Sequence, residues 1–261
     1  MPKERKDLMY RHLSLAYVSA ESIVKNGYEL VMYTDKLGKE VLDGFPYDEV
    51  IVEKRLDETN KKMFASPKYF ALGNEPLGTI HLDYDIIIEK PCLEPKEEWD
   101  IVTQMVYKLP TKYKKERAFM SKNGYPKGMQ GIKISDYPYC TGVIGFNNAE
   151  MKALFLDNYF DAVKIYKDRD IPKDICIDFL LEQSYASTLV EHYGFTPAFV
   201  VKDGDFFKYV SNGSRYYEDK ETGFVHYQGA SKWSDEVQQM INKRLTPDAV
   251  RVINRNFLKI S

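Results

Sequence analysis

Apolar positions along the chain recur at two spacings, and the spacing changes from segment to segment. Leu13, Ala16, Tyr17, Ala20, Ile23 and Val24 fall at helical intervals and predict a helix over Leu13–Val24, closed by Asn26-Gly27. Tyr28–Thr34 (YELVMYT) reads as a strand with Asp35 at its end, Leu37–Leu42 as a short helix and Glu49–Val52 as a second strand. That alternation of helix and strand predicts a parallel sheet with crossover helices. Residues 54–76 read as a helix-bearing connection. Further strands are expected at Ile101–Tyr107, Thr141–Phe146, Phe195–Val201 and Phe224–Tyr227. Helices are expected at Ala149–Tyr166, Ile175–Val190, Ser234–Arg244 and Pro247–Leu258, the last with Thr246 as N-cap and Pro247 in its first turn. Lys122–Lys133 holds three glycines and one proline, which predicts a mobile loop. The basic run from Lys112 to Arg117, KYKKER, reads as solvated surface, with contact to an anionic acceptor as the alternative. With no internal repeat and no linker, the expectation is one α/β domain: a mixed, mostly parallel sheet flanked by helices, with the C-terminal helices over 234–258 packed on it.

One stretch breaks its own pattern. In Gly78–Pro91, GTIHLDYDIIIEKP, an apolar β-branched run is interrupted by Asp83 and Asp85 and then resumes at Ile86–Ile88. Unpaired carboxylates inside a buried strand are costly. The strand is therefore expected to end at Asp83, with both acids emerging at its carboxyl end, where open α/β sheets bind ligands. Two acids one residue apart can share a hard divalent cation such as Mg²⁺ or Mn²⁺. The competing reading is an edge strand with solvated acids.

A second constellation, HYQGASKW from His226 to Trp233, places a histidine three residues before Gly229 and six before Lys232. A neutral imidazole can ligate a metal, a glycine lets backbone approach phosphate oxygens, and a lysine supplies a point charge. Alone, the stretch is better read as a surface loop with a satisfied histidine. Together, the two stretches offer three metal ligands and a phosphate clamp.

Composition narrows the field. The chain has 261 residues, a net charge of −2, 20 Tyr and 14 Phe. No global field draws it to nucleic acid or an anionic membrane. Cys92, Cys140 and Cys176 are isolated and odd in number, which fits reduced thiols. The N-terminal segment is basic and then apolar for too short a run to be a secretory signal or a span. A cytoplasmic protein without a transmembrane segment is expected. Glycine-rich phosphate loops, HExxH and Cys/His zinc patterns are absent from the sequence.

LDYD followed by an apolar run and Lys-Pro resembles the D-x-D strand of metal-dependent glycosyltransferases with the GT-A fold. HYQGASKW is similar to the H-F-x-G-x-x-K-P-W motif of glycogenin-like and lipopolysaccharide galactosyltransferase-like enzymes, without the proline before the tryptophan. YCTGVIGF resembles that family's N-[ST]-G-V strand, with Cys140 where an Asn is usual. Glu182-Gln183 resembles its acidic-residue-Gln pair, Lys68 in SPKYFAL a recurring lysine, and Tyr33-Thr34-Asp35 its second strand. The matches are short motifs spread over residues 13–233. GT-A enzymes begin with a strand that contacts the nucleotide base, whereas here only about a dozen basic and polar residues precede the first expected helix.

The resemblance implies a GT-A-like single domain and a hexosyltransferase-type glycosyltransferase using a nucleotide sugar, most naturally a UDP-sugar, with Mn²⁺ or Mg²⁺. It implies metal ligation by Asp83, Asp85 and His226, and diphosphate or nucleotide contacts by Thr34, Asp35, Lys68, Tyr84, Gly229 and Lys232. It further implies sugar orientation by Glu182, Gln183, Thr141 and Gly142, with retention of configuration. The acceptor, whether glycan, protein, lipid-linked glycan or modified nucleic acid, is not implied. A metal-dependent phosphohydrolase or nucleotidyl enzyme and a catalytically inactive sugar-nucleotide-binding module are the rival classes.

Overall fold

The helical spacing that begins at Leu13 extends backwards to the start of the described chain. In the computed structural model, which describes residues 3–58, 63–95, 98–108, 113–201 and 207–260, helix α1 runs Lys3–Lys25. The basic residues expected to precede the first helix are its first turns. Gly27 then closes it in the left-handed region (φ 85°). There follow β1 (Val31–Thr34), α2 (Lys36–Val41), β2 (Glu49–Val52), α3 (Ser66–Asn74), β3 (Ile80–Leu82), β4 (Ile86–Ile88), β5 (Ile101–Val106), α4 (Lys114–Asn123), β6 (Tyr139–Phe146) and α5 (Ala149–Tyr166). The remainder is α6 (Ile177–Phe179), a π-helical turn at Leu180–Ser184, α7 (Tyr185–Tyr193), β7 (Pro197–Phe199), β8 (Phe207–Tyr209), β9 (Arg215–Asp219), β10 (Phe224–His226), α8 (Asp235–Arg244) and α9 (Pro247–Ile260). Thr246 Oγ1 accepts the Ala249 N–H, the N-cap expected there. No described helix is long and apolar enough to cross a membrane.

The fold is α/β with mixed sheets, but the sheets are not mostly parallel. Among the described residues β1–β2 and β5–β7 pair in parallel, whereas β3–β6, β5–β6, β4–β10, β9–β10 and β8–β9 are antiparallel. The crossover pattern holds only where it was most legible, in β1–α2–β2. Elsewhere the chain turns back on itself. β8 and β9 form a hairpin through Asn212-Gly213, with Gly213 at φ 75° and Val210 N–H donating to Ser214 O at 3.0 Å. That Asn-Gly, between FKYV and SRYYED, is a hairpin signal the helix–strand reading passed over.

By its contacts the chain divides into two compact units. The first comprises Met1–Leu56, Asp83–Cys92 and Gly204–Ser261. It holds the β1–β2 pair and the sheet β4-β10-β9-β8. Ile87 of β4 is fully buried against Leu15 and Val18 of α1 and Val237 and Ile241 of α8. The edge of β4 is served by side chains of α1 and of the residue that follows it: Ser19 Oγ donates to Ile86 O at 2.6 Å, Asn26 Nδ2 to Ile88 O at 3.0 Å, and Ile88 N–H donates to Ser22 Oγ at 3.1 Å. These residues lie at helical intervals, so one polar stripe of α1 does the work of a neighbouring strand.

The second unit comprises Asp57–Leu82 and Leu93–Asp203. Its sheet runs β3-β6-β5-β7, and every residue of β6 is buried. Tyr69 of α3 packs against Phe155 and Tyr159 of α5 with ring centroids 5.0 and 4.3 Å apart. The segment expected to be a mobile loop is anchored here: its Lys122 and Asn123 end α4, Met129 is buried, Lys127 N–H donates to Asp161, and Tyr166 OH donates to Gly124 O. Of the basic run, Lys112 lies outside the described residues; Lys114 to Arg117 start α4 and include Arg117, which pairs with Asp136 at 2.7 Å.

At Gly145 on β6 a neighbouring backbone approaches closely. A Cβ there would lie 2.8 Å from Thr79 O, just ahead of β3. Gly145→Ala is therefore expected to cost roughly 1–3 kcal/mol, the usual range for overpacking, measured by denaturant unfolding. An unchanged midpoint would show that β3 is free to shift.

Candidate metal centre

Asp83, Tyr84 and Asp85 form a tight turn, closed by Ile86 N–H donating to Asp83 O at 3.0 Å. The acids stand at the carboxyl end of β3, as expected, but they also stand at the head of β4. The β4–β10 ladder pairs Ile86 with His226, and Tyr227 N–H donates to Asp85 O at 3.0 Å. This ladder brings His226 back beside an acid more than 140 residues away. One ligand atom each from Asp83, Asp85 and His226 lies within 4.8 Å of the others. Asp85 and His226 are 4% and 5% exposed.

His226 Nε2 is 3.2 Å from Asp85 Oδ1, close enough for an ion pair, yet Oδ1 accepts no hydrogen bond. Two ligands at right angles on bonds of about 2.1 Å would stand about 3.0 Å apart, so this separation suits adjacent positions around a hard divalent ion. The other oxygen, Oδ2, accepts from Lys232 Nζ at 2.6 Å. Burial pushes the Asp85 carboxyl up, but His226 and then Lys232 outweigh it and hold it below the ordinary carboxylate range. Burial likewise pulls the Lys232 ammonium down, and Asp85 with Tyr84 more than reverses this. Within the cluster two carboxylates face one ammonium. The donor set therefore has chemistry and spacing suited to Mg²⁺ or Mn²⁺.

Lys232 belongs to a 3₁₀ turn, Gly229–Trp233. Gly229 opens it at φ 53° with open space where a Cβ would be, so its backbone is approachable. Lys232 Nζ lies 5.0 Å from the centroid of the Tyr84 ring and 5.5 Å from that of Trp233. His12 of α1 completes the group. Its Nδ1 shares a hydrogen with Tyr84 OH at 2.8 Å, and its ring is 4.1 Å from that of Trp233. Arg11 Nη1 donates to Trp233 O at 2.7 Å. Sequence reading did not find His12 or Arg11. Their signal is positional only: His12 lies seven residues before Ser19, on the stripe that faces β4.

Thr34 and Asp35 lie at the end of β1, where Asp35 Oδ1 accepts the Gly38 N–H at 2.5 Å and caps α2. That bond, rather than a contact with the Asp83–Asp85 turn, is what the structure gives Asp35. Lys68, expected with the diphosphate contacts, lies in the second unit. There its Nζ donates to Thr141 O at 2.8 Å and to Glu182 Oε2 at 3.3 Å. Glu182 and Gln183 sit on the π-helical turn, both buried, and Tyr113 OH donates to Gln183 Oε1 at 2.5 Å. Tyr113 is the only described non-glycine residue with positive φ, 65°. Gly142 is buried on β6 between Thr141 and Val143. So Lys68, Thr141, Glu182 and Gln183 form one buried polar cluster. π-turns recur at functional sites.

Asp178 lies beneath this cluster and was not singled out in the sequence. Its Oδ2 accepts the Ala65 N–H at 2.6 Å, capping α3 where Ala65 cannot, and its Oδ1 accepts from Tyr159 OH at 2.6 Å. Burial nevertheless raises its pKa from 3.8 to about 7.

Two expectations follow. Lys232→Met leaves Asp85 without its ammonium and should destabilise the metal-free protein by roughly 3 kcal/mol, the low end for a broken buried pair. Mn²⁺ should restore part of that loss, read as a larger thermal shift in Lys232→Met than in the wild type; no shift in either would mark the cluster as an ion-pair network. The second expectation concerns Asp178. A folded pKa above the unfolded one adds stability that is fully present below about pH 3.8 and is lost as pH rises through about 7. Asp178→Asn cannot ionise, so its stability should change less between pH 4 and 8 than the wild type's, by up to a few kcal/mol. Parallel stability–pH curves would assign the proton elsewhere.

No curated protein and no solved structure matches this chain. The sequence model of one family matches residues 6–255, and the chain accordingly belongs to DUF6734, a family of unknown function.

Proposed function

We propose that this protein is a metal-dependent glycosyltransferase that takes a sugar from a nucleotide sugar, most naturally a UDP-sugar. The observation that carries the reading is the convergence, within one unit, of the Asp83–Asp85 turn with His226 and Lys232. The sequence resemblance had assigned those four residues to one grip, and the β4–β10 ladder is what joins them. Asp83, Asp85 and His226 would hold Mn²⁺ or Mg²⁺, which when bound supplies Lewis-acid neutralisation of a departing diphosphate. Lys232 adds a positive charge beside the same carboxylate, and the approachable backbone at Gly229 offers a close contact for phosphate oxygens. A GT-A-like arrangement, retention of configuration and sugar orientation by Glu182, Gln183, Thr141 and Gly142 are part of the proposal. Their support is the motif resemblance and the buried cluster that Glu182, Gln183 and the Thr141 carbonyl form with Lys68.

The alternative with a specific observation behind it is a site that never takes metal. Asp85 already has Lys232 at 2.6 Å, and a buried carboxylate with a partner needs no further cation. Titration calorimetry separates the two. Asp85→Asn should lower Mn²⁺-dependent UDP affinity at least tenfold, while circular dichroism shows the fold retained. Unchanged metal-dependent affinity in Asp85→Asn overturns the proposal. A thermal-shift screen of nucleotide sugars with and without Mn²⁺, followed by turnover of the best binder, then identifies the donor.

A further inference from the structure

The cluster of rings beside Lys232 is not explained by packing alone. His12 meets both Tyr84 and Trp233, so that three separate segments contribute a ring, yet each ring is only partly buried, whereas most large aromatic side chains of this chain's core are fully enclosed. Their positions are fixed by polar bonds. Tyr84 OH and His12 Nδ1 share a hydrogen, and Arg11 holds the Trp233 carbonyl. Two of the rings lie within 5.5 Å of the Lys232 ammonium. Tyr84 is flanked in sequence by two of the metal-ligand candidates, and Trp233 follows Lys232 directly.

A rigid, half-open aromatic group beside a cation and a carboxylate pair suits a ligand that is flat and π-faced at one end and anionic at the other. Base–aromatic stacking tolerates any base, because every base has a π-face. With Nδ1 engaged by Tyr84, the imidazole turns its Nε2 edge the other way, where it can meet a polar edge of such a ring. A structural staple between α1 and the 3₁₀ turn would bury the rings more completely and would not need an ammonium among them.

We infer that His12, Tyr84 and Trp233 form the platform for the base of a nucleoside diphosphate whose phosphates are held at Lys232. This rests on the diphosphate grip proposed above and deepens it by supplying contacts for the base.

The test uses the full chain with Mn²⁺ and two probes, inorganic pyrophosphate and UDP. The chain has two tryptophans, so Trp99→Phe leaves Trp233 as the sole indole reporter. UDP should quench Trp233 fluorescence and bind roughly tenfold to a hundredfold tighter than pyrophosphate, the range stacking supplies. Trp233→Leu and His12→Ala should bring UDP down to the pyrophosphate level while leaving pyrophosphate affinity within about twofold. Trp233→Phe, which keeps a ring, should retain part of the difference. The inference is overturned if UDP binds no tighter than pyrophosphate, if Trp233 emission does not respond to UDP, or if the variants weaken both probes equally. Those outcomes leave the diphosphate grip standing; failure of both probes to bind the unmodified protein removes the grip as well.

Discussion

A carboxylate that is almost wholly enclosed is the constraint around which the first unit is arranged. Asp85 stands at the head of an all-isoleucine strand, where an uncompensated charge would cost several kcal/mol. Two partners keep the charge tolerable: one carboxylate oxygen accepts from Lys232 and the other faces His226, while Tyr227 N–H takes the backbone carbonyl. All three residues lie within 226–232, so the β4–β10 register and the 3₁₀ turn after it are coupled to the charge. A one-residue slip of β10 would point His226 to the opposite face of the sheet. Burial of Ile87 against α1 and α8 opposes such a slip, since the same slip would shift its partner Val225, buried in the same core.

The second unit resolves a similar problem differently. Glu182 is paired with Lys68, and Asp178, one helical turn earlier, has two hydrogen-bond donors but no cation at bonding distance in its described contacts. Burial therefore wins at Asp178 and raises its pKa, whereas at Asp85 the neighbouring His226 and Lys232 outweigh burial and lower it. The comparison separates the causes: hydrogen bonds from one amide and one phenol do not match the effect of adjacent positive charge. The Ala65 N–H bond also explains how α3 starts without a capping side chain of its own, and with it where Lys68 stands on the first turn.

Much of this was legible in the chain, and what was missed has identifiable causes. Helix α5 and strand β2 lie where apolar spacing put them, because Asn148 caps the one and turn residues bound the other. The three ligand candidates could be named because acids that interrupt an apolar run cost stability unless something pairs with them or binds them. Strand direction was not legible. The opening helix–strand alternation suggested mostly parallel pairing, but the chain returns antiparallel from β5 to β6, and spacing within a helix carries no information about that. The extent of α1 was underestimated because its first turns are polar, and polarity there reflects a solvated start rather than the absence of a helix. A three-residue resemblance points to Asp35 as a ligand contact, but Asp before a short helix is equally the commonest kind of N-cap.

The polar stripe of α1 links the last two points. A strand edge exposes N–H and C=O groups that must find partners, and usually another strand provides them. Here Ser19, Ser22 and Asn26 do so from a helix and the residue that follows it, each reaching β4 at hydrogen-bond distance. Side chains serve such groups one at a time, so the helix must lie in a single register along the strand. Spacing of seven, three and four residues from His12 through Asn26 then leaves His12 no choice of neighbour: it stands beside the turn that precedes β4, against Tyr84. The residue that completes the aromatic group is thus placed by the requirement to satisfy a β-edge, and the serines that meet this requirement carry no chemistry of their own. This is why His12 was invisible to motif reading. Its position is set by backbone hydrogen bonding two turns away, and such a dependence has no local signature in sequence.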